Sequence, residues 1–208
     1  MIALADNIFY SAMEDQLTRG REIMRLEKPR IQPLTLENCN EDQAKMLKQQ
    51  QIRGKPANIF LTMANHEKLA KRWLVFGNHI LSKSTLDPRE REIAILRIGW
   101  LCQAGYEWGQ HVLIGRNAGL SDEEIQRIPA GAEAEGWSED DRWLIRATDE
   151  LHGDAFVTDT TWAALAERLS VEQRIDLIFT VGQYNLVSMA LNTLGVQPEE
   201  GLPRLPEQ

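Results

Sequence analysis

The sequence has few cysteines, no long apolar run and few strand signals, and each of these absences excludes a class of protein. Its 208 residues include two cysteines, Cys39 and Cys102, which lie far apart and form no CxxC pair. A secreted domain held together by disulfides would carry more cysteines in a shorter chain, so we expect reduced thiols and a cytoplasmic protein. No apolar run approaches the roughly 18 residues that span a bilayer, and the N-terminus lacks a secretory signal pattern.

Positive charge is also scarce. Lys and Arg total 23 against 31 Asp and Glu, a formal net charge of −8. Binding to nucleic acid needs clustered Lys and Arg to neutralise phosphates, so the acidic balance argues against a nucleic-acid partner. The hydrophobic share of 43% and the charged share of 26% are typical of a soluble globular protein, without a membrane partner.

Signals for helices dominate the chain, whereas Asn-Gly and Asp-Gly hairpin turns are missing. Capping residues followed by acidic or helix-compatible residues predict helix starts at four positions: Asp87-Pro88, Ser121, Ser138 and Ser170. Further helices are predicted over 7–26, 41–51, 66–82 and 158–168. The helix over 41–51 lies within an otherwise irregular arm that ends before residue 58, and an extended tail begins at Gln197. The fold class is therefore all-α.

A long central helix is the main feature of this prediction. The helical pattern starts at Pro88, continues to about Asn117, and is followed by Gly119 as a left-handed stop. Its apolar positions cover most of the circumference, which indicates burial in a core or between subunits. A chain of this length has limited apolar area to cover such a helix, so the pattern favours a homo-oligomer.

The polar residues that interrupt this helix are the candidates for chemistry. Glu107 and His111 stand at i and i+4 and therefore share one helix face. Glu92 precedes His111 by 19 residues, about 29 Å along an unbroken helix. It could join the pair through a chain break near Gly105 or through packing against another subunit.

A Glu–His pair in an apolar wall is a proton-transfer unit, because the carboxylate orients the imidazole and raises its basicity. The alternative is an ordinary surface pair that stabilises the helix by a few tenths of a kcal/mol. Tyr106 and Trp108 flank Glu107 and could form an aromatic pocket rim, although both are also good core residues.

Metal and nucleotide sites have no sequence support. The chain contains no HExxH, Walker loop, GxGxxG or GxSxG motif. His66 and His79 lack a compact metal-ligand spacing, and His152 is typical of a surface histidine at a helix C-terminus. We therefore expect neither a metal nor a cofactor.

Five ordered stretches give the sequence a resemblance to a known family: Asn58-Ile59-Phe60, LDPREREIAILR over 86–97, YEWGQH over 106–111, AGLS over 118–121 and VGQYN over 181–185. The resemblance is to the carboxymuconolactone decarboxylase family, whose members share the alkylhydroperoxidase D-like all-α fold. It covers about residues 56–197, which implies a family-like helical domain there, an N-terminal helix and irregular arm over 1–55, and an extended tail over 198–208. It also implies a homo-oligomer, a trimer or hexamer.

One departure from the family decides what the resemblance implies for function. The peroxidase branch carries a CxxC followed by three residues and a His, and its cysteines cycle through a disulfide. Here His111 matches that histidine and Glu92 the upstream glutamate, while the cysteine positions fall on Ala104 and Glu107. Without a thiolate at either position that redox cycle cannot run, so a hydroperoxide reductase is disfavoured.

The decarboxylase branch has a Tyr-Glu-Trp segment like this one. The resemblance implies a lyase of aromatic-compound catabolism that decarboxylates or isomerises a small carboxylated lactone or related compound without a cofactor. Glu92, Glu107 and His111 would be catalytic, with Arg97, Tyr106 and Trp108 binding the substrate. Arg97 is a candidate anchor for a carboxylate because an arginine in an apolar helix needs an anionic partner. A non-catalytic ligand-binding oligomer is the remaining alternative.

Overall fold

The computed structural model describes residues 25–52 and 54–206. Within them lie nine α-helices: α1 (Glu41–Lys48), α2 (Asn58–Met63), α3 (Glu67–Lys83), α4 (Pro88–Leu101), α5 (Gly105–Asn117), α6 (Asp122–Arg127), α7 (Glu139–Asp154), α8 (Asp159–Arg168) and α9 (Val171–Leu194). The all-α prediction is confirmed. No helix in the described ranges combines the length and apolarity needed to cross a membrane.

The helices begin where their capping residues predict. Asp87 accepts a hydrogen bond from the backbone N–H of Arg89, and Pro88 occupies the first helical position of α4. Ser121 and Ser170 form complete capping boxes at the starts of α6 and α9, and Ser138 caps α7. Gly195 ends α9 in the left-handed conformation. Local signals therefore fix most boundaries.

Two short features near the end of the arm were not predicted. Gln51–Ile52 (β1) and Lys55–Pro56 (β2) pair as a small antiparallel hairpin, and α2 follows it. Each strand has two residues, too few to show an alternating pattern in the sequence. The helix predicted over 7–26 lies outside the described residues except for Arg25 and Leu26, which are not helical.

Helix α4 forms the centre of the core. It packs against α5, α7 and α9, and its residues from Ile93 to Ile98 are buried. One face packs with Leu144 and Leu177, and the other with Trp108 and Ile128. The apolar circumference of α4 is thus covered by helices of the same chain, so of the two expected environments, a core or a contact between subunits, the structure shows a core.

Candidate active site

The predicted central helix is two helices separated by a turn. Helix α4 ends at Leu101 and α5 begins at Gly105. Between them Gln103 adopts a left-handed backbone conformation with φ of +52°, and its side-chain amide donates to the carbonyl of Trp100 at 2.7 Å. Because α5 then packs along α4, residues on the two helices meet that would lie about 29 Å apart on one straight helix.

This turn brings Glu92, Glu107 and His111 together within one chain. His111 Nδ1 lies 2.6 Å from Glu92 Oε2, and His111 Nε2 lies 2.9 Å from Glu107 Oε1. The imidazole therefore stands between two carboxylates, one on each ring nitrogen. Of the two routes that the sequence left open for Glu92, the structure shows the chain break.

The contact with Glu107 differs from the contact with Glu92. The Nδ1 contact has hydrogen-bond geometry, whereas Glu107 Oε1 receives no aligned hydrogen bond from any residue that the structure describes. All three residues are at most 5% exposed, so water cannot freely satisfy that oxygen. His111 Nε2 and Glu107 Oε1 therefore lie side by side with hydrogen-bonding capacity left over.

Electrostatics keep His111 protonated. Burial alone would lower the pKa of His111, but the neighbouring Glu92 and Glu107 carboxylates outweigh burial and raise this pKa to about 10. On the far side of Glu92, Arg91 Nε lies 3.2 Å from Glu92 Oε1. With His111 protonated, Arg91, Glu92, His111 and Glu107 form a buried chain of alternating charges whose formal sum is zero.

Tyr184 completes the cluster, although no sequence pattern predicted a role for it. Its ring meets the His111 imidazole edge to face, with centroids 4.8 Å apart. Burial raises the pKa of Tyr184, the Glu107 and Glu92 carboxylates raise it further, and Arg91 opposes them. The only sequence signal was its place in the VGQYN stretch, since 73 positions along the chain separate it from His111.

Arg97 lies in a salt bridge within the chain. Its Nε and one terminal nitrogen bind the Asp149 carboxylate at 2.6 and 3.1 Å, and the other terminal nitrogen donates to the carbonyls of Ile128 and Pro129. The anionic partner that the sequence required for Arg97 is therefore Asp149. Because Asp149 already satisfies Arg97, this arginine does not need a substrate carboxylate as its partner.

Tyr106 and Trp108 do not form an exposed pocket rim, since each is 2% exposed. The Tyr106 hydroxyl donates to Glu199 Oε1 at 3.2 Å and accepts from the backbone N–H of Ile59 at 3.3 Å, which ties α5 to α2 and the tail. Trp108 packs in the core beside Ile93. Their positions correct the pocket-rim interpretation and match the core alternative.

The two cysteines are free thiols in different parts of the structure. Cys102, in the turn between α4 and α5, donates to Asn185 Oδ1 at 3.1 Å, and burial raises the pKa of its thiol. A raised pKa reduces the thiolate fraction at neutral pH and with it nucleophilicity. No group of three or more metal-ligating side chains within the described ranges could hold a metal ion.

An apolar cavity lies between α2, α3 and α9. It has a volume of about 200 Å³ and an apolar lining that includes Ile59, Trp73 and Val187. None of the cluster residues lines it, but Val187 stands one helical turn beyond Tyr184 on α9. The cavity is therefore adjacent to the Tyr184 side of the cluster and is suited to an apolar ring or chain.

Comparison with known proteins gives a family match over part of the chain. Residues 67–150 match the carboxymuconolactone decarboxylase family, and this segment contains Glu92, Glu107 and His111. No curated protein matches the sequence.

Several solved structures share the fold at low sequence identity. A peroxidase-related protein from Ralstonia eutropha JMP134 with an alkylhydroperoxidase AhpD core has a TM-score of 0.74 at 18% identity, covering 83% of this chain and 93% of that one. A peroxidase-related protein from Silicibacter sp. TM1040 has a TM-score of 0.70 at 15% identity, covering 89% and 96%. The debrominase Bmp8 has a TM-score of 0.65 at 17% identity, covering 84% and 94%. The chain thus has the alkylhydroperoxidase D-like all-α fold and carries a carboxymuconolactone decarboxylase family segment over residues 67–150.

Proposed function

We propose that this protein is a cofactor-independent acid–base enzyme that decarboxylates or isomerises a small carboxylated lactone or a related intermediate of aromatic-compound catabolism. The observation that carries the proposal is the buried His111 imidazole held between Glu92 and Glu107, with unused hydrogen-bonding capacity on the Glu107 side. The contact between His111 Nε2 and Glu107 Oε1 is an ion pair without an aligned hydrogen bond, and a buried polar atom in that state favours a role in binding or catalysis.

The roles follow from the asymmetry of the contacts. Glu92 fixes Nδ1 of His111 through an aligned hydrogen bond of 2.6 Å and so acts as a positioning residue. Glu107 and the Nε2 side of His111 form the pair that meets the substrate. Because His111 is protonated at neutral pH, this pair can donate a proton to a reacting carbon.

In a decarboxylation, the bond between the substrate and its departing carboxylate breaks, and the electron pair moves into the conjugated system as an enolate. CO₂ leaves, and a proton from the His111–Glu107 pair adds to carbon. Solvent then restores the proton, so the net reaction consumes one carboxylate and one proton and yields CO₂ and the protonated product. An isomerisation uses the same pair to remove a proton from one carbon and return it to another.

A hydroperoxide reductase is the alternative suggested by the peroxidase-related structures of the same fold. Its thiol chemistry would have to start at Cys102, whose burial raises the thiol pKa, and Cys39 is not paired with it. Glu107 occupies the position where the resemblance places the cysteine nearer to His111. The charged cluster of Glu92, His111 and Glu107 therefore favours proton transfer over thiol redox chemistry.

The homo-oligomer expected from the sequence remains a proposal, and we place its contact on α9. Large apolar side chains on this helix are exposed although α4 is covered, with Phe179 54% and Met189 53% exposed. Exposed apolar side chains on one helix favour protein–protein contact. This surface is equally compatible with a non-catalytic ligand-binding oligomer. Only a measurement of turnover separates that alternative from the proposed enzyme.

The test removes the acid–base pair one member at a time. Glu107→Gln and His111→Asn are expected to lower turnover of carboxylated lactones by about 10²–10⁴-fold, the usual contribution of a positioned acid or base. Turnover is followed as CO₂ release and as deuterium incorporation from D₂O. Glu133→Gln is the matched control, since it removes one carboxylate from an exposed salt bridge with Arg146.

Circular dichroism and thermal denaturation establish that each variant remains folded. Full activity in both Glu107→Gln and His111→Asn would refute the proposal. Peroxide reduction that disappears in Cys102→Ser would instead support the thiol-dependent alternative.

A further inference from the structure

A second cavity lies between α3 and α9 and opens to the surface. Its volume is about 320 Å³. One polar residue lines it among apolar and small ones: Gln183 with Phe76, Ile178, Phe179, Gly182 and Leu186. None of the charged residues around His111 lines this cavity, so it is separate from the candidate active site.

The carboxamide of Gln183 is buried without a hydrogen-bond donor. The residue is 4% exposed, and its Oε1 receives no hydrogen bond from any residue that the structure describes. The side chain lies against α3, since a methyl group added at Gly77 would lie 3.5 Å from Gln183 Nε2. A buried amide oxygen without a donor costs free energy, so this position favours a ligand that brings a donor with it.

The apolar lining of the cavity suits an aromatic ring. The rings of Phe76 and Phe179 meet edge to face, with centroids 6.0 Å apart, and both are partly exposed. An apolar cavity of about 150 Å³ is large enough to bind benzene, so this one has room for a substituted ring. Within the described ranges no charged side chain lines the cavity, and an ion would lose hydration there without a partner.

We infer that this cavity binds an uncharged aromatic molecule that carries a hydroxyl group. The ring packs against Phe76 and Phe179, and the hydroxyl donates to Gln183 Oε1. The ligand thereby supplies the donor that Gln183 lacks and covers apolar surface that is otherwise exposed. Phe179 also lies on the face proposed for contact between copies, so a second copy of the chain is the competing occupant.

Phenol and anisole are the probes that test this inference. Each has one aromatic ring and one oxygen, but only phenol can donate a hydrogen bond. Dissociation constants come from ligand-observed NMR or calorimetry at neutral pH, where phenol keeps its proton. A hydrogen bond to a neutral acceptor corresponds to about fivefold in affinity, so the wild type is expected to prefer phenol by about that factor.

Gln183→Met tests the hydrogen bond. The substitution keeps the length of the side chain and removes its acceptor oxygen. We expect the variant to lose the preference and to bind phenol and anisole about equally. A variant that was only less stable would bind both probes more weakly but would keep the preference.

Gly182→Leu tests the location of the site, even if Gln183→Met fails to fold. No atom lies within 4 Å of a Cβ added at Gly182, and a helical side chain leans towards the preceding turn, here Ile178 and Phe179. The leucine therefore fills the cavity and is expected to weaken both probes at least about tenfold. Gly153→Leu is the matched control, since Gly153 is a helical glycine on α7 with equally open space, and it is expected to bind as the wild type does.

A phenol preference that persists in Gln183→Met, or undiminished binding of both probes in Gly182→Leu, overturns the inference. Absence of binding to the wild type at millimolar concentration also overturns it, and a second copy seated in the cavity would give this result. Glu107→Gln removes a member of the proposed acid–base pair and is expected to keep the phenol preference. The ligand site and the proposed function can therefore fail independently.

Discussion

The charged environment of His111 predicts that folding stability falls as the pH rises above neutrality. The pKa of His111 is about 10 in the folded protein, against an ordinary value of 6.5. Between these two values the folded state holds a proton that the unfolded chain has released. The contribution of His111 is therefore fully present below pH 6.5 and is lost as the pH rises to about 10.

The size of the effect follows from proton linkage. The folded state holds one proton more than the unfolded chain in that range. The free energy of unfolding therefore falls by about 1.4 kcal/mol for each unit by which the pH rises. Across the whole range the total is on the order of 5 kcal/mol. That total is a large part of the stability of an ordinary domain, so the loss is measurable by denaturation.

The perturbation is Glu92→Gln, which removes one charge and keeps the size of the side chain. Burial, which lowers the pKa of His111, then meets the opposition of Glu107 alone, so the proton on His111 is held less strongly. Urea denaturation at fixed protein concentration, repeated from pH 6.5 to about 10, gives the slope for each protein. The variant is expected to show a clearly flatter slope.

Other groups titrate over the same range, and comparison with the wild type cancels their contributions. His79→Gln provides the control, because His79 is on the surface of α3, with its side chain 52% exposed. This variant is expected to have the same slope as the wild type. Equal slopes for wild type and Glu92→Gln would refute the argument that two carboxylates hold a proton on His111.

Two further predictions concern packing. Gly109→Ala places a methyl group 2.8 Å from the carbonyl oxygen of Pro203, so we expect a loss of about 1–3 kcal/mol in chemical denaturation, whereas Gly153→Ala in α7 meets open space and is expected to be neutral or slightly stabilising. Equal stability of the two variants would contradict the close approach of the tail to α5. Phe179→Asp is expected to lower the mass of the assembly measured by light scattering, because it places a charge on the exposed apolar face of α9. An unchanged mass would exclude this face as the contact between copies.

The boundaries of the helices were predictable because their signals are local. Ser121 and Ser170 form capping boxes with residues three positions away, so a short stretch of sequence contains the whole interaction. The turn between α4 and α5 is different, since apolar residues continue up to it and Gln103 is not a typical left-handed residue. Gly105 was the single hint of a break.

The candidate site was predictable to the extent that its contacts are local. Glu107 and His111 are four residues apart, so their meeting follows from helical spacing alone. Arg97 and Asp149 are 52 positions apart, and Tyr106 and Glu199 are 93 apart. A pattern on one helix cannot show such partners, which is why buried polar residues with structural roles were predicted to bind substrate.

The turn at Gln103 links the fold to the chemistry. A left-handed backbone at a residue other than glycine costs about 1–2 kcal/mol, and such conformations persist where the surroundings hold them in place. Here Asn192 of α9 donates to the carbonyl of Cys102 at 2.8 Å, and the backbone N–H of Ala104 donates to Gly99 at 2.9 Å. These contacts stabilise the change of direction that places His111 beside Glu92, so residues outside the cluster determine whether its proton-transfer geometry exists.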